Sequence, residues 1–103
     1  MASGTLGQSN LSATTDTTVY TVPAGTTSSF SVNICNRNAT SAFVRIAIAA
    51  SGTPGVSEYI EFGALVEGNG VLERTGLVAS ANKNVVVHSD SANVTVNVYG
   101  YEE

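Results

Sequence analysis

The sequence predicts an all-β fold, an antiparallel β-sandwich or a jelly-roll-like barrel of seven to eight strands. Hydrophobic and polar residues alternate along most of the chain, as expected when successive side chains of a strand point to opposite faces. Turn-forming residues interrupt this alternation at intervals of about 8 to 15 residues, and no segment shows the periodicity of a helix. We expect residues 1–103 to form a single domain, because a chain of 103 residues has room for only one core.

The strongest alternation lies between residues 30 and 49. The side chains expected on the buried face are Phe30, Val32 and Ile34 in the first half and Val44, Ile46 and Ile48 in the second. Both halves are rich in β-branched and aromatic residues, which suit a half-buried strand. We predict that they form a β-hairpin, joined by a turn at residues 37–41, to which the other strands are added.

The remaining strands are predicted from shorter alternating runs, at residues 17–22, 58–62, 71–78, 83–88 and 93–101. Residues 1–8 are expected to be an extended N-terminal arm or an edge strand, and residues 9–16 a polar loop. In the strand at 58–62, Ile60 and Phe62 are expected on the same face. The last two strands are expected to pair around a turn at residues 89–91.

Loops are indicated where Gly and Pro cluster. Pro23 and Gly25 end the strand at 17–22, because proline cannot donate to a β-ladder and glycine tolerates positive φ. Residues 50–57, which include Pro54, carry the strongest loop signal and are expected on the surface.

The composition favours a structural or assembly role. Only 12% of the residues are charged, about half the usual share. The surface must therefore be covered by Thr, Ser, Asn, Gly and Ala, whose short side chains lose little entropy when they pack against a neighbour. An ordinary small β-domain that happens to be rich in Ser and Thr is the alternative explanation.

The charge and the hydropathy of the sequence argue against nucleic acid and membranes as partners. The net charge is −4 with only four Lys and Arg residues, so no basic patch for nucleic acid is expected. We expect no membrane contact either, because the sequence has no targeting segment and no apolar run near the roughly 20 residues of a membrane span. The single cysteine, Cys35, excludes an internal disulfide.

No motif predicts catalysis, a cofactor or a metal site. His88 is the only histidine, and no His, Cys or carboxylate pair has the spacing of a metal site or of a nucleophile with its base. We therefore expect no enzymatic activity. The three Asn-x-Ser/Thr triplets, at Asn10, Asn38 and Asn93, are expected to reflect the composition and not glycosylation.

Three segments in order, VYTVPAGT at 19–26, VNICNR at 32–37 and VRIAIA at 44–49, resemble small virion structural proteins of tailed bacteriophages. The closing segment NVTVNVYG at 93–100 continues the resemblance. The resemblance implies a capsid decoration (cement) protein, synthesised in the host cytoplasm, that binds the outer capsid surface and stabilises the shell. The implied partners are the major capsid protein and further copies of the chain, in a trimer.

Two other functions stay open at this point. A tail, baseplate or fibre module would use the same fold at low copy number, and a carbohydrate-binding module would need exposed aromatic platforms. The chain has no Trp and only four Tyr residues, which disfavours the second. The residues expected to make assembly contacts are Leu6, Pro54, Tyr99 and Tyr101.

Overall fold

A computed structural model describes residues 2–103 and confirms the all-β prediction. It contains eight strands: β1 (Ser3–Leu11), β2 (Thr17–Thr21), β3 (Ser28–Asn36), β4 (Ala42–Ala49), β5 (Tyr59–Val66), β6 (Val71–Ala79), β7 (Asn84–Ser89) and β8 (Val94–Glu102). The only helical segment among the described residues is a 3-10 turn at Val56–Glu58. None of the described residues forms a helix with the length and apolar character that crossing a membrane requires.

The strands form two antiparallel four-stranded sheets. The first sheet has the order β1-β8-β3-β6 and the second β2-β7-β4-β5. Strands pair as β1 with β8, β2 with β7, β3 with β6 and β4 with β5. This pairing arises when an antiparallel ribbon folds over itself, so the sandwich is an eight-stranded jelly roll. Only β4 and β5 are neighbours both along the chain and within a sheet.

The core lies between the two sheets and takes buried side chains from all eight strands. The predicted inward residues Phe30, Val32 and Ile34 are buried, as are Val44 and Ile46, while Ile48 is partly buried against the core. Leu11 also lies in the core, at the end of β1. The loop predicted at residues 9–16 therefore begins later, because β1 continues pairing with β8 as far as Leu11.

The predicted hairpin between residues 30 and 49 is wrong. Both strands are present, but β3 lies between β8 and β6 in the first sheet, whereas β4 lies between β7 and β5 in the second. The predicted pairing of the last two strands, β7 and β8, is wrong for the same reason. In a sandwich each sheet buries one face, so two strands show the same alternation whether they lie side by side or opposite each other.

One end of the sandwich is held together by the buried side chain of Asn36. Its amide donates hydrogen bonds to the backbone carbonyls of Thr40, Val66 and Glu67 at 2.9 to 3.2 Å. Its oxygen accepts from the backbone N–H of Asn38 at 3.0 Å. The β3–β4 and β5–β6 connections are thereby joined at one point.

Candidate interaction surfaces

The four residues predicted to make assembly contacts do not lie together. Leu6, on the edge strand β1, is partly buried and packs against the core. Pro54 lies in the connection between β4 and β5. Tyr99 and Tyr101 lie on β8, on the outer face of the first sheet, where 37% and 47% of their surfaces are exposed. The structure therefore separates these residues into different surfaces, of which only the tyrosines share one.

The two tyrosines line a shallow groove of about 320 Å³. Tyr99 lies opposite Ser31 of β3, and Tyr101 lies opposite Ser29. The Tyr99 hydroxyl donates a hydrogen bond to the carboxylate of Glu73 on β6, across the intervening strand. The groove therefore combines aromatic rings, hydroxyl groups and a carboxylate.

A larger apolar surface lies on the outer face of the second sheet, along β4 and β5. The cross-strand pairs there are Phe43 with Leu65, Arg45 with Phe62 and Ala47 with Tyr59, and Val56 adjoins the last of these. We call these seven residues the outer ladder. Exposed fractions are 50% for Phe43, 64% for Phe62, 53% for Leu65 and 96% for Val56. Side chains paired in register on one face form a continuous surface.

Arg45 is the only charged residue of the outer ladder. Its guanidinium carbon lies 4.3 Å from the centroid of the Phe62 ring, within the range of a cation–π interaction. The Phe62 ring in turn meets Tyr59 edge to face, with 4.9 Å between the ring centroids. The one ion pair among residues 2–103 joins Arg74 to Glu61, so Arg45 has no carboxylate partner there.

The outer ladder includes Phe62, which was expected to share a face with Ile60. Ile60 does pack against the core, but Phe62 points outward. The cause is an interruption of the β4–β5 register on either side of Phe62. At one interruption Gly63 adopts φ = 76°, a left-handed conformation that favours glycine. Gly63, directly after the strand predicted at residues 58–62, is the one sequence signal near this bulge.

The loop before β5 presents Val56. The Glu58 carboxylate accepts hydrogen bonds from the backbone N–H groups of Gly55 at 2.7 Å and Ala50 at 3.0 Å. These two bonds stabilise the charged form and lower the pKa of Glu58 below its usual value. The Glu58 side chain thus joins the two ends of the loop.

The residues that could carry chemistry lie apart. Cys35 is half-buried on β3, in the first sheet, whereas His88 lies opposite Arg45 in the second sheet, with the core between the sheets. Residues 2–103 contain no group of three or more His, Cys, Asp or Glu side chains that could hold a metal ion.

Comparison with known proteins gives no family for this chain. No protein-family model, no curated protein and no solved structure matches it.

Proposed function

We propose that this protein is a virion structural protein of a tailed bacteriophage, of the capsid decoration type. It would bind the outer surface of the capsid through the major capsid protein and stabilise the shell without chemistry. The support comes from the resemblance of residues 19–26, 32–37 and 44–49 to such proteins, together with a charge-poor surface. The observation that carries the proposal is the outer ladder, an exposed apolar surface on a chain with few charges.

The outer ladder is large enough to matter for assembly. Its four most exposed side chains together present about 500 Å² of apolar surface to water. This estimate assumes that a fully exposed large side chain presents roughly 150–250 Å². That is near the upper end for the largest patch on a monomeric protein. With a polar rim it approaches the roughly 800 Å² per partner of a stable interface.

We assign this surface to contact with another copy of the chain, in a trimer. In a cyclic trimer the outer ladder meets a different surface of the next copy. The chain has eight Asp and Glu residues against four Lys and Arg, and a facing surface that presents one of these carboxylates would complement the unpaired charge of Arg45. Three copies held together would bind a shell more tightly than one, because their contacts add through a raised effective concentration.

A tail, baseplate or fibre module is the alternative, and copy number distinguishes it. The experiment is quantitative protein composition of purified particles that carry the chain, followed by rebinding of the isolated protein to shells stripped of it. Hundreds of copies per particle, released and rebound with the shell, support decoration. A few copies per particle support the tail alternative. A protein that stays monomeric and does not bind shells contradicts the proposal.

A further inference from the structure

We propose that the groove beside Tyr99 and Tyr101 binds a neutral saccharide. The groove crosses three strands on the outer face of the first sheet, on the opposite side of the sandwich from the outer ladder. Tyr101 of β8 and Val78 of β6 lie on either side of Ser29 of β3, about 10 Å apart, which is twice the spacing of neighbouring strands. The Tyr99 side chain reaches across β3 toward Glu73 of β6.

Two glycines line the groove. The register between β3 and β6 shifts between Phe30 and Val32, and Gly76 lies in the resulting bulge with φ = 71°. Gly76 therefore lines the groove without a side chain. Gly100 stands between the tyrosines, and a Cβ atom there would overlap the backbone carbonyl of Ser29. At Gly76 a Cβ atom would meet no atom within 4 Å, and it is the positive φ that disfavours any other residue, whereas at Gly100 a larger residue would have to displace the backbone of β3.

The groups that line the groove match the surface of a pyranose ring. A pyranose has an apolar face of C–H groups and a rim of hydroxyls. The half-exposed rings of Tyr99 and Tyr101 can stack against the apolar face, since aromatic rings combine large apolar faces with polar edges. The hydroxyls of Ser29 and Ser31 have no side-chain partner among residues 2–103, and they can exchange hydrogen bonds with the rim.

The charges around the groove favour a neutral ligand. The charged group that contacts a residue of the groove is Glu73, whose carboxylate accepts the hydrogen bond from Tyr99. The cations lie elsewhere: Arg37 bonds to Asn10, Arg45 lies over Phe62, Arg74 pairs with Glu61, and Lys83 lies near Glu58. A carboxylate without a neighbouring cation repels uronic acids, sialic acids and phosphorylated sugars, whereas it accepts hydrogen bonds from neutral sugar hydroxyls.

The test is a titration of the ¹⁵N-labelled full chain, followed by NMR. Cellohexaose, maltohexaose and chitohexaose serve as neutral probes, and a hyaluronan hexasaccharide serves as the anionic probe. We expect at least one neutral probe to shift the amide signals of Gly76, Gly100 and Tyr101, with no response to hyaluronan. Shallow, open grooves bind weakly, so the titration extends to about 10 mM probe.

Two variants and a control locate the binding. Tyr101→Ala should weaken binding by about tenfold or more, and Ser31→Val, which keeps a strand-forming residue, should weaken it severalfold. Phe62→Ala, on the opposite sheet, should leave it unchanged. The inference is overturned if none of the neutral probes shifts these signals, if Tyr101→Ala binds as tightly as the unaltered chain, or if hyaluronan binds as well. None of these outcomes depends on whether the protein attaches to a capsid.

Discussion

The guanidinium of Arg45, the only charged group of the outer ladder, lies over the ring of Phe62, 4.3 Å from its centroid. The two residues are cross-strand partners on β4 and β5. Phe62 is 64% exposed, so a large aromatic surface and an unpaired cation are presented together. Aromatic residues and arginine are the residues most enriched among those that dominate binding at protein interfaces.

We therefore predict that Phe62→Ser converts a trimer into monomers. The substitution removes the centre of the outer ladder but little of the core, so the free energy of unfolding should change by less than about 1 kcal/mol. Sedimentation velocity over a range of protein concentrations measures the oligomeric state. Val78→Ser is the matched control, because Val78 is 61% exposed on the other sheet and should leave the trimer intact. An unaltered chain that sediments as a monomer, or a Phe62→Ser variant that sediments as the unaltered chain does, contradicts this interface.

The Tyr20 hydroxyl makes stability depend on pH in the alkaline range. Tyr20 is buried, and its hydroxyl donates a hydrogen bond to the Glu102 carboxylate at 2.5 Å and contacts the Ser28 hydroxyl. Burial, and then the bond to Glu102, raise the pKa of Tyr20 above the 10.0 of an unperturbed tyrosine. Since the unfolded chain loses this proton first, the contribution of Tyr20 is complete below about pH 10. It is lost as the pH rises through the folded-state pKa.

Tyr20→Phe tests this contribution. At pH 7 the variant should be less stable by about 1–2 kcal/mol, because the buried hydroxyl of Ser28 loses a partner. Urea unfolding at pH values from about 7 to 11 should show a smaller loss of stability at high pH for the variant than for the unaltered chain. Tyr101→Phe, at an exposed position, should behave as the unaltered chain. If Tyr20→Phe and the unaltered chain lose the same free energy of unfolding at high pH, Tyr20 is not the cause of the pH dependence.

Asn36 should be among the polar residues most sensitive to substitution. Asn36→Ala leaves three backbone carbonyls without their donor, at a point where the side chain is completely buried. We expect a loss of about 2–4 kcal/mol in the free energy of unfolding. Each unsatisfied buried group costs about 1–3 kcal/mol, and the total is less than the sum because some of these carbonyls can hydrogen-bond to water instead. Asn33→Ala, on the outer face of the same strand, should cost less than about 1 kcal/mol. Equal effects of the two substitutions in urea unfolding would contradict a bracing role for Asn36.

Gly7 marks a close approach between β1 and β2. A Cβ atom at Gly7 would overlap the backbone carbonyl oxygen of Val19, so Gly7→Ala must move the two strands apart. We expect thermal unfolding to show a loss of about 1–3 kcal/mol, the usual cost of overpacking. Gly52→Ala is the control, because the nearest atom to its Cβ would be the Thr18 hydroxyl at an ordinary 3.5 Å. A Gly7→Ala variant as stable as Gly52→Ala would contradict the close approach of β1 and β2.

Alternation alone placed most of the strands. The segment predicted at 71–78 is one residue shorter than β6, and those predicted at 83–88 and 93–101 are each displaced by one residue from β7 and β8. Phe30, Val32 and Ile34 were correctly expected inside, because a period of two reports which face of a strand is buried. Tyr99 and Tyr101, which were expected to make contacts, lie on the outer face of β8, where they line the groove.

The sequence by itself determined the class of fold, the strand positions and the charge-poor surface, since all of these follow from local periodicity and composition. Only the tertiary structure decided that β3 and β4 lie in opposite sheets, because hydrogen-bond partners distant along the chain are not encoded in local alternation. It also decided that Phe62 faces outward beside Arg45 and that Gly76 lines a groove beside the tyrosines. Both features arise from bulges, where one extra residue turns the side chains that follow to the other face.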